Sequence, residues 1–301
     1  MSRPGPDPRG DGDGWIGCAQ GHRHWGRFGA AGLLLRRPGE ARDSAQVLLQ
    51  HRAMWSHHGD TWGLLGGARH SDESHVAAAL REAAEEGGLD PDVVRVHGRF
   101  DDPHGDWSYV TVLGATGRAT SARPTGGESI DVEWVPVDEV TARPLHPGFA
   151  RTWPLLRRAL HPLTVVVDAA NVVGSRPDGW WRDRVGATRR LLESVAALAA
   201  AGLTDAELPD GLDLVPLAHR WPSWVLVVEG AARPAAAGAP ADVYVRVAPG
   251  AGDDEILEGV RDVGAGAVLV VTADRGLAER CEALGATVAG PRWLLSRTAR
   301  Q

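Results

Sequence analysis

Lysine is absent from this sequence; its 32 strongly basic side chains are all arginine, and 39 acids leave a formal charge of −7. That balance excludes a globally basic nucleic-acid binder, although a local arginine patch can still hold phosphate. Heavy use of Ala, Gly, Arg and Pro is the mark of a GC-rich genome, which explains the missing lysine without invoking function. Cysteine is nearly absent as well. Cys18 and Cys281 lie far apart, which argues against a disulfide framework or a Cys-rich zinc module and points to a reducing compartment. Long apolar runs are missing too: Leu191 to Leu203 and Ala265 to Val271 are too short or too rich in small residues to cross a bilayer. The opening MSRPGPDPRGDGDG lacks the apolar core of a signal peptide and reads as a flexible tail over residues 1–14. A cytoplasmic protein with no membrane partner is therefore expected.

What is present suffices for two ordinary domains, since 301 residues at 43% hydrophobic can build two cores. Short apolar runs from Phe28 to Arg36 and from Gln46 to Arg52, bounded by Gly, Pro and charge, predict strands. A glycine-rich turn, Trp62 to Gly67, follows. Val76, Ala79, Leu80 and Ala83 then recur at helical spacing, and Gly87 and Gly88 stop the pattern. Further strands are expected at Val93 to Arg99, Tyr109 to Ala115 and Val132 to Val137, with a helix from Pro147 to Leu160. After His161 the pattern changes. LTVVVD, Arg184 to Ala201, WVLVVEG, ADVYVRV, Asp254 to Val263, AVLVVTAD, Gly276 to Leu284 and ATVAG alternate strand with helix, as in a parallel sheet covered on both faces. The expected organisation is an α/β protein with a tail over 1–14, one domain over 15–160 and a second over 161–301.

Gly67 to Leu89, GARHSDESHVAAALREAAEEGGL, carries the densest chemistry. Glu82, Glu85 and Glu86 are related by i+3 and i+4, so their carboxylates gather beside the apolar stripe that anchors the helix. Negative charges so close need a counterion. Mg²⁺ suits them, being a hard cation that prefers oxygen ligands and bridges carboxylates to substrate phosphates. A solvated acidic helix face is the plain alternative.

Gly67, Glu73, Arg81, Glu82, Glu85, Glu86, Gly88 and Leu89 fill every fixed position of G-x5-E-x7-R-E-U-x-E-E-x-G-U, in which U is aliphatic, and the segment resembles the Nudix box. Ala83 is small for the first U, and Leu65 stands where relatives commonly have proline. Glu128 to Val140 resembles the late Nudix strand and turn, extending the resemblance over about residues 25 to 160. It implies an α/β/α sandwich with a mixed sheet and a Mg²⁺- or Mn²⁺-dependent pyrophosphohydrolase acting on a nucleotide-type small molecule, a nucleoside diphosphate linked to another moiety. In that reading Glu82, Glu85 and Glu86 are metal ligands or base, Gly67 offers its carbonyl, and Arg81 with Glu73 orients the helix. Glu128 or Asp106 is an auxiliary candidate. Trp62, Trp107 and Tyr109 are candidates to stack on a nucleobase, with core packing the competing role. Cys18, His22 and His24 are candidate zinc donors, but the set is incomplete and its spacing is not that of a zinc finger.

In the second half, acids sit where parallel strands end: Asp168 closes TVVVD with Asn171 after it, Glu229 closes WVLVVE, Asp253 and Asp254 follow ADVYVRV, and Asp274 follows AVLVVTA. VVVDAANVVGS and VVTADRGL resemble the NYN/PIN-like ribonuclease fold. The resemblance implies a second metal site at Asp168, Asp253 or Asp254, and Asp274, with Asn171 as a polar positioner and RNA as a partner met by Trp180, Trp181, Arg182 and Arg184. Helix capping explains each acid singly, and a structural or RNA-binding platform is a further possibility for this half. A nucleotide or RNA sensor that keeps the Nudix pocket without turnover is the competing reading of the whole chain.

Overall fold

A computed structural model describes residues 10–41 and 44–299. The chain divides into two compact units, one running to Leu160 and including Val215–Ala218, the other comprising His161–Leu214 and the chain from His219 onward. Of the expected tail, residues 1–9 lie outside the described residues. Its last part is held by hydrogen bonds: the carbonyls of Gly12 and Gly14 accept from Arg27 and Gly26 at 2.8 and 2.9 Å.

The first unit opens with a short antiparallel hairpin, β1 (Trp15–Gly17) and β2 (Arg23–Trp25). A mixed sheet follows, built from β3 (Ala30–Pro38), β4 (Ala45–Arg52), β5 (Trp62–Gly63), β6 (Leu65–Ala68), β7 (Arg95–His104), β8 (Trp107–Ala115) and β9 (Ser129–Pro136). Its main path runs β7-β8-β3-β4-β5, with β6 added to β3 and β9 to β4. The continuous apolar run AAGLLL makes β3 the central strand, because both of its faces must be covered. It pairs parallel with β8 and antiparallel with β4 and β6. Strand alternation divides its leucines. Leu33 and Leu35 face helix α1 (His75–Gly87), meeting Ala78, Ala79 and Ala83, whereas Leu34 faces helix α2 (Pro147–Leu156) and its Phe149, Trp153 and Leu156.

Two boundaries differ from the sequence expectation. The strand expected from Val93 begins at Arg95, because Pro91–Val93 forms a 3-10 turn in which the Asp92 amide donates to the Asp90 carboxylate at 3.0 Å, and it then continues to His104. The helix expected to reach Leu160 ends at Leu156, and Arg157–Ala159 tightens into a 3-10 turn.

The second unit holds β10 (Thr164–Asp168), the two-residue β11 (His219–Arg220), β12 (Ser223–Val228), β13 (Val243–Val247), β14 (Val268–Val271) and β15 (Thr287–Ala289). The five-stranded sheet has the order β13-β12-β10-β14-β15, and all its pairs are parallel, as the strand-helix alternation predicts. Val165 and Val167 of β10 pack in one core with α3 (Ala169–Gly174), α4 (Arg184–Ala201) and α7 (Pro291–Thr298). Val166, between them, faces the other core, under α5 (Gly252–Asp262) and α6 (Arg275–Glu282). Among the described residues no helix is long and apolar enough to cross a membrane.

Candidate active site

Helix α1 is fixed at both ends by local chemistry. The Ser74 side chain accepts from the Ala77 amide at 3.1 Å, the role an N-cap serine plays. At the other end Gly88 adopts φ +62°, the left-handed conformation that glycine tolerates best, and its N–H donates to Ala84 O. The carbonyls of the last turn would otherwise lack partners. The Thr125 and Arg123 amides donate to Glu86 O and Gly87 O at 3.1 and 3.0 Å, and the Thr125 hydroxyl donates to Glu85 O.

The face of α1 toward the sheet is alanine, so the helix lies close to β6, and two glycines receive its glutamates. A Cβ on Gly67 would lie 2.6 Å from Glu82 Cδ, and one on Gly66 would lie 2.4 Å from Ala31 O on β3. The Gly66 amide donates to Glu86 Oε2 at 2.9 Å. Leu65, in the position that often holds proline, is fully buried and paired with Leu33, so this departure leaves the strand ordered.

Arg81 organises the remainder. Its guanidinium donates to Glu73 Oε1 at 2.7 Å, Glu82 Oε1 at 2.8 Å, Ala68 O at 2.9 Å and Glu85 Oε2 at 3.3 Å. Glu73 in turn accepts from the His70 amide at 2.9 Å, tying the loop before α1 to the helix. Burial works against the Glu73 anion, but the Arg81 and His70 hydrogen bonds prevail and hold its carboxyl below the usual range. Glu73, and after it Glu82, push the Arg81 guanidinium upward against burial.

Glu82 and Glu86 behave differently. Burial raises Glu82 to about 7 despite Arg81, with Glu85 and Glu128 adding repulsion. Burial and the neighbouring Glu82 raise Glu86 to about 8, countered only in part by the Gly66 amide, Gln50 and Arg52. The buried Glu86 and the half-buried Glu82 repel one another, and with Arg81 bonded only to Glu82 they form an unbalanced pair. Beside them Gln50 is fully buried; its amide N donates to Ser129 Oγ at 2.7 Å, while its Oε1 has no hydrogen-bond partner. Hard oxygen donors, a cradle that a Cβ would fill and an orphaned buried acceptor fit a divalent cation of the Mg²⁺ class. The glutamates of α1 are spread more widely than a closed ligand set: among the described residues, the groups of three donors within 4.8 Å of one another are Cys18–His22–His24 and His57–His58–His146. Glu85 is turned toward Arg81, which bonds its Oε2.

The aromatic candidates separate. Burial pushes the Tyr109 phenol up, and Arg52, Glu86 and Glu82 are the charges that act on it, so Tyr109 adjoins the glutamates. Trp62 lies in the core with its ring stacked on His51 at 4.8 Å and the Arg143 guanidinium 4.2 Å from its centre. Trp107 packs in a small separate core with Cys18 and Ala30, and its indole N–H donates to Gly26 O at 2.8 Å. Asp106 accepts from the Ala19 amide at 3.0 Å. The sequence pattern does not single out Gln50 and Arg52. Both sit in an ordinary strand pattern, and only the pairing of β4 with its neighbours sets them against α1.

In the second unit β10 and β14 are adjacent, with Val167 opposite Val271, so Asp168 and Asp274 emerge from neighbouring strand ends. Thr272 joins them: its hydroxyl donates to Asp168 Oδ2 at 3.0 Å and accepts from the Asp274 amide at 3.1 Å. Each acid also caps a helix, Asp168 accepting from Asn171 N at 3.0 Å and Asp274 from Leu277 N at 2.9 Å. The Asn171 side chain accepts from Ala273 N at 2.9 Å. Burial raises the Asp168 carboxyl, with Glu229 and Asp253 adding to it. Asp253 and Asp254 bond Arg280 at 3.3 and 2.9 Å. Trp181 is exposed, Arg182 closes the 3-10 turn that both tryptophans begin, and Arg184 lies over Trp180 at 5.3 Å.

Comparison with known proteins gives a consistent answer for the first unit. The profile of the NUDIX domain matches residues 26–158. A Mycobacterium tuberculosis protein named "Putative 8-oxo-dGTP diphosphatase 3" is 48% identical over 165 residues, which cover 52% of this chain and 73% of that protein. A Bifidobacterium longum protein named "Nucleoside triphosphate pyrophosphatase/Nudix hydrolase fusion protein" is 40% identical over 155 residues, 50% of this chain and 32% of its own length. The crystal structure of a Nudix hydrolase from M. smegmatis, RenU, is 44% identical, with 49% of this chain and 94% of that one covered and a TM-score of 0.47. With 73% of the M. tuberculosis relative matched at 48% identity, the NUDIX domain matched over residues 26–158 and the full glutamate helix in place, this chain belongs to the Nudix hydrolase family.

Proposed function

We propose that the first unit hydrolyses a phosphoanhydride bond in a nucleoside diphosphate linked to another moiety, using Mg²⁺ or Mn²⁺ held by Glu82, Glu85 and Glu86 with the Gly67 carbonyl. The observation that carries this reading is the mutually repelling pair of half-buried Glu82 and buried Glu86 against the Gly66–Gly67 backbone. When bound there, Mg²⁺ would supply positive charge for the diphosphate oxygens and Lewis-acid activation of water. The chain's own groups do the rest. Whichever of Glu82, Glu85 and Glu86 does not ligate the cation would accept the proton of the attacking water; without the cation, burial and repulsion raise Glu82 to about 7 and Glu86 to about 8. Arg81 keeps Glu82 in place through bonds to Glu73 and Ala68 O. Arg52, a cation beside the glutamates, supplies charge for the phosphates, and Tyr109 is the aromatic best placed for the base. The oxidised purine nucleoside triphosphate in the name of the M. tuberculosis relative falls within this substrate class.

The competing sensor reading keeps the pocket but needs no group able to move a proton. Incubating the purified protein with 8-oxo-dGTP, dGTP, dinucleoside polyphosphates and nucleotide sugars, each with Mg²⁺ or Mn²⁺, tests the two readings. Product masses identify the bond cleaved, and binding without product in every case favours the sensor.

For the second unit the proposal is a NYN/PIN-like domain that binds RNA and cleaves it with a divalent cation at Asp168, Asp274, Asp253 or Asp254, with Asn171 positioning. The parallel sheet and the Thr272 bridge between neighbouring strand ends support it. Incubation with single-stranded RNA and Mn²⁺ tests it: cleavage that Asp168→Asn removes supports a metal site, and binding without cleavage reduces the unit to a platform.

A further inference from the structure

The β1–β2 hairpin holds a cluster that the proposed hydrolysis does not use. Cys18 lies directly beyond the pair Gly17–Arg23, and its amide donates to His22 O at 2.9 Å, so Cys18 and His22 face each other across the turn. His22 and His24 are two residues apart along the returning strand, which points them to one face. The result is a thiol and two imidazoles whose donor atoms all lie within 4.8 Å of one another. Cys18 Sγ is 3.2 Å from His24 Nε2. A tetrahedral zinc site, with bonds of about 2.3 Å to sulfur and about 2.0–2.1 Å to nitrogen, sets such donors roughly 3.6 Å apart. Small side-chain shifts separate the two arrangements.

The surroundings support the donors as second neighbours do at metal sites. The His24 ring stacks on Trp107 at 4.1 Å between centres, and Trp107 is fixed by its indole bond to Gly26 O. His104 stands beside them, its ring centre 4.9 Å from that of His24, and its buried Nδ1 has no hydrogen-bond partner. Asp106 accepts from the Ala19 amide and pins the Cys18–His22 turn to the β7–β8 turn.

We propose that Cys18, His22 and His24 form a binding site for one divalent zinc-class ion, with His104 as the candidate for its fourth ligand. Thiolate and imidazole select zinc over the hard Mg²⁺ that oxygen-only sites take. The site shares no residue with the glutamates of α1 and stands whether or not the proposed hydrolysis does. Its role is to lock the hairpin against the β7–β8 turn, as structural zinc sites lock small elements that have little apolar core.

The test is a Co²⁺ titration of the chelator-treated full-length protein, followed by absorbance and thermal unfolding. The expected result is saturation at one equivalent of a thiolate-to-cobalt charge-transfer band, bleached by Zn²⁺. Cys18→Ser should abolish the band, since the only other thiol, Cys281, is fully buried in the second unit. His22 is exposed, so His22→Ala spares packing; it should weaken affinity at least about tenfold, the loss that even a supporting residue brings at such sites. Zn²⁺ should raise the unfolding temperature of the native protein and not that of Cys18→Ser. Absence of a thiolate band in the native protein, or its persistence in Cys18→Ser, overturns the proposal.

Discussion

Gly67 lies so close to Glu82 that a Cβ on the glycine would stand 2.6 Å from the carboxyl carbon and 2.6 Å from Oε1. The glutamate is thus received by backbone, and the absent side chain is part of the site. Gly67→Ala should displace the Glu82 carboxyl, reduce kcat by about 100-fold, as an error of about 1 Å in position does, and destabilise the fold by about 1–3 kcal/mol. Steady-state kinetics with thermal unfolding checks this; wild-type kcat in the alanine variant would remove Glu82 from the site.

The buried acids also predict how stability depends on pH. Glu82 and Glu86 are raised from 4.5 to about 7 and about 8, so the folded metal-free protein binds more protons than the unfolded chain between those limits. A raised folded-state value means that the contribution to stability is full below about 4.5 and is lost as pH rises through 7 to 8. In EDTA, the Tm contribution of this pair should therefore fall between about pH 4.5 and about pH 8, and Glu86→Gln should flatten the slope. Mg²⁺ should flatten it as well. Thermal melts of both proteins across that range decide the matter, and parallel profiles would contradict it.

Arg81 binds Glu73, Glu82 and the Ala68 carbonyl together. Arg81→Met should cost about 3–5 kcal/mol, because it leaves partly buried charge without its partner. The loss should be accompanied by weaker activity. Denaturant unfolding reads the first effect, and a cost below about 1 kcal/mol would reduce Arg81 to a surface pair.

Much of this site is legible in the sequence, and the reasons are specific. The glutamate helix announces itself because its apolar spacing, its glutamates at i+3 and i+4 and its terminal glycines coincide in one segment. Asp168 and Asp274 are expected at one sheet edge because parallel strands bring their ends together, and β10 and β14 are indeed neighbours. The β1–β2 hairpin is not legible: its strands are three residues long, and their side chains alternate exposed and partly exposed, so no apolar pattern marks them. Gln50 and Arg52 are hidden for another reason. They meet Glu86 only through strand pairing distant in sequence, and the placing of Val215–Ala218 with the first unit is likewise set by contacts distant in sequence.

In the second unit, Asp274 accepts from the Leu277 amide, a plain cap. Asp274→Ala should cost about 1 kcal/mol from the lost cap alone. If the acid also serves a metal, RNA cleavage in Mn²⁺ should vanish in Asp274→Asn, which keeps a capping oxygen, while nucleotide hydrolysis continues unchanged. Equal RNA cleavage by native and Asp274→Asn proteins would leave only the cap.

The central claim is that a divalent cation at Glu82, Glu85 and Glu86 supports phosphoanhydride hydrolysis. The most direct measurement is mass-resolved turnover of 8-oxo-dGTP by chelator-treated protein, with and without added Mg²⁺, for the native chain and for Glu86→Gln. The account predicts cleavage between phosphates by the native protein only when Mg²⁺ is restored, and a loss of at least about 100-fold in a folded Glu86→Gln. Full turnover after exhaustive chelation, or a Glu86→Gln variant that works at the native rate, would contradict it.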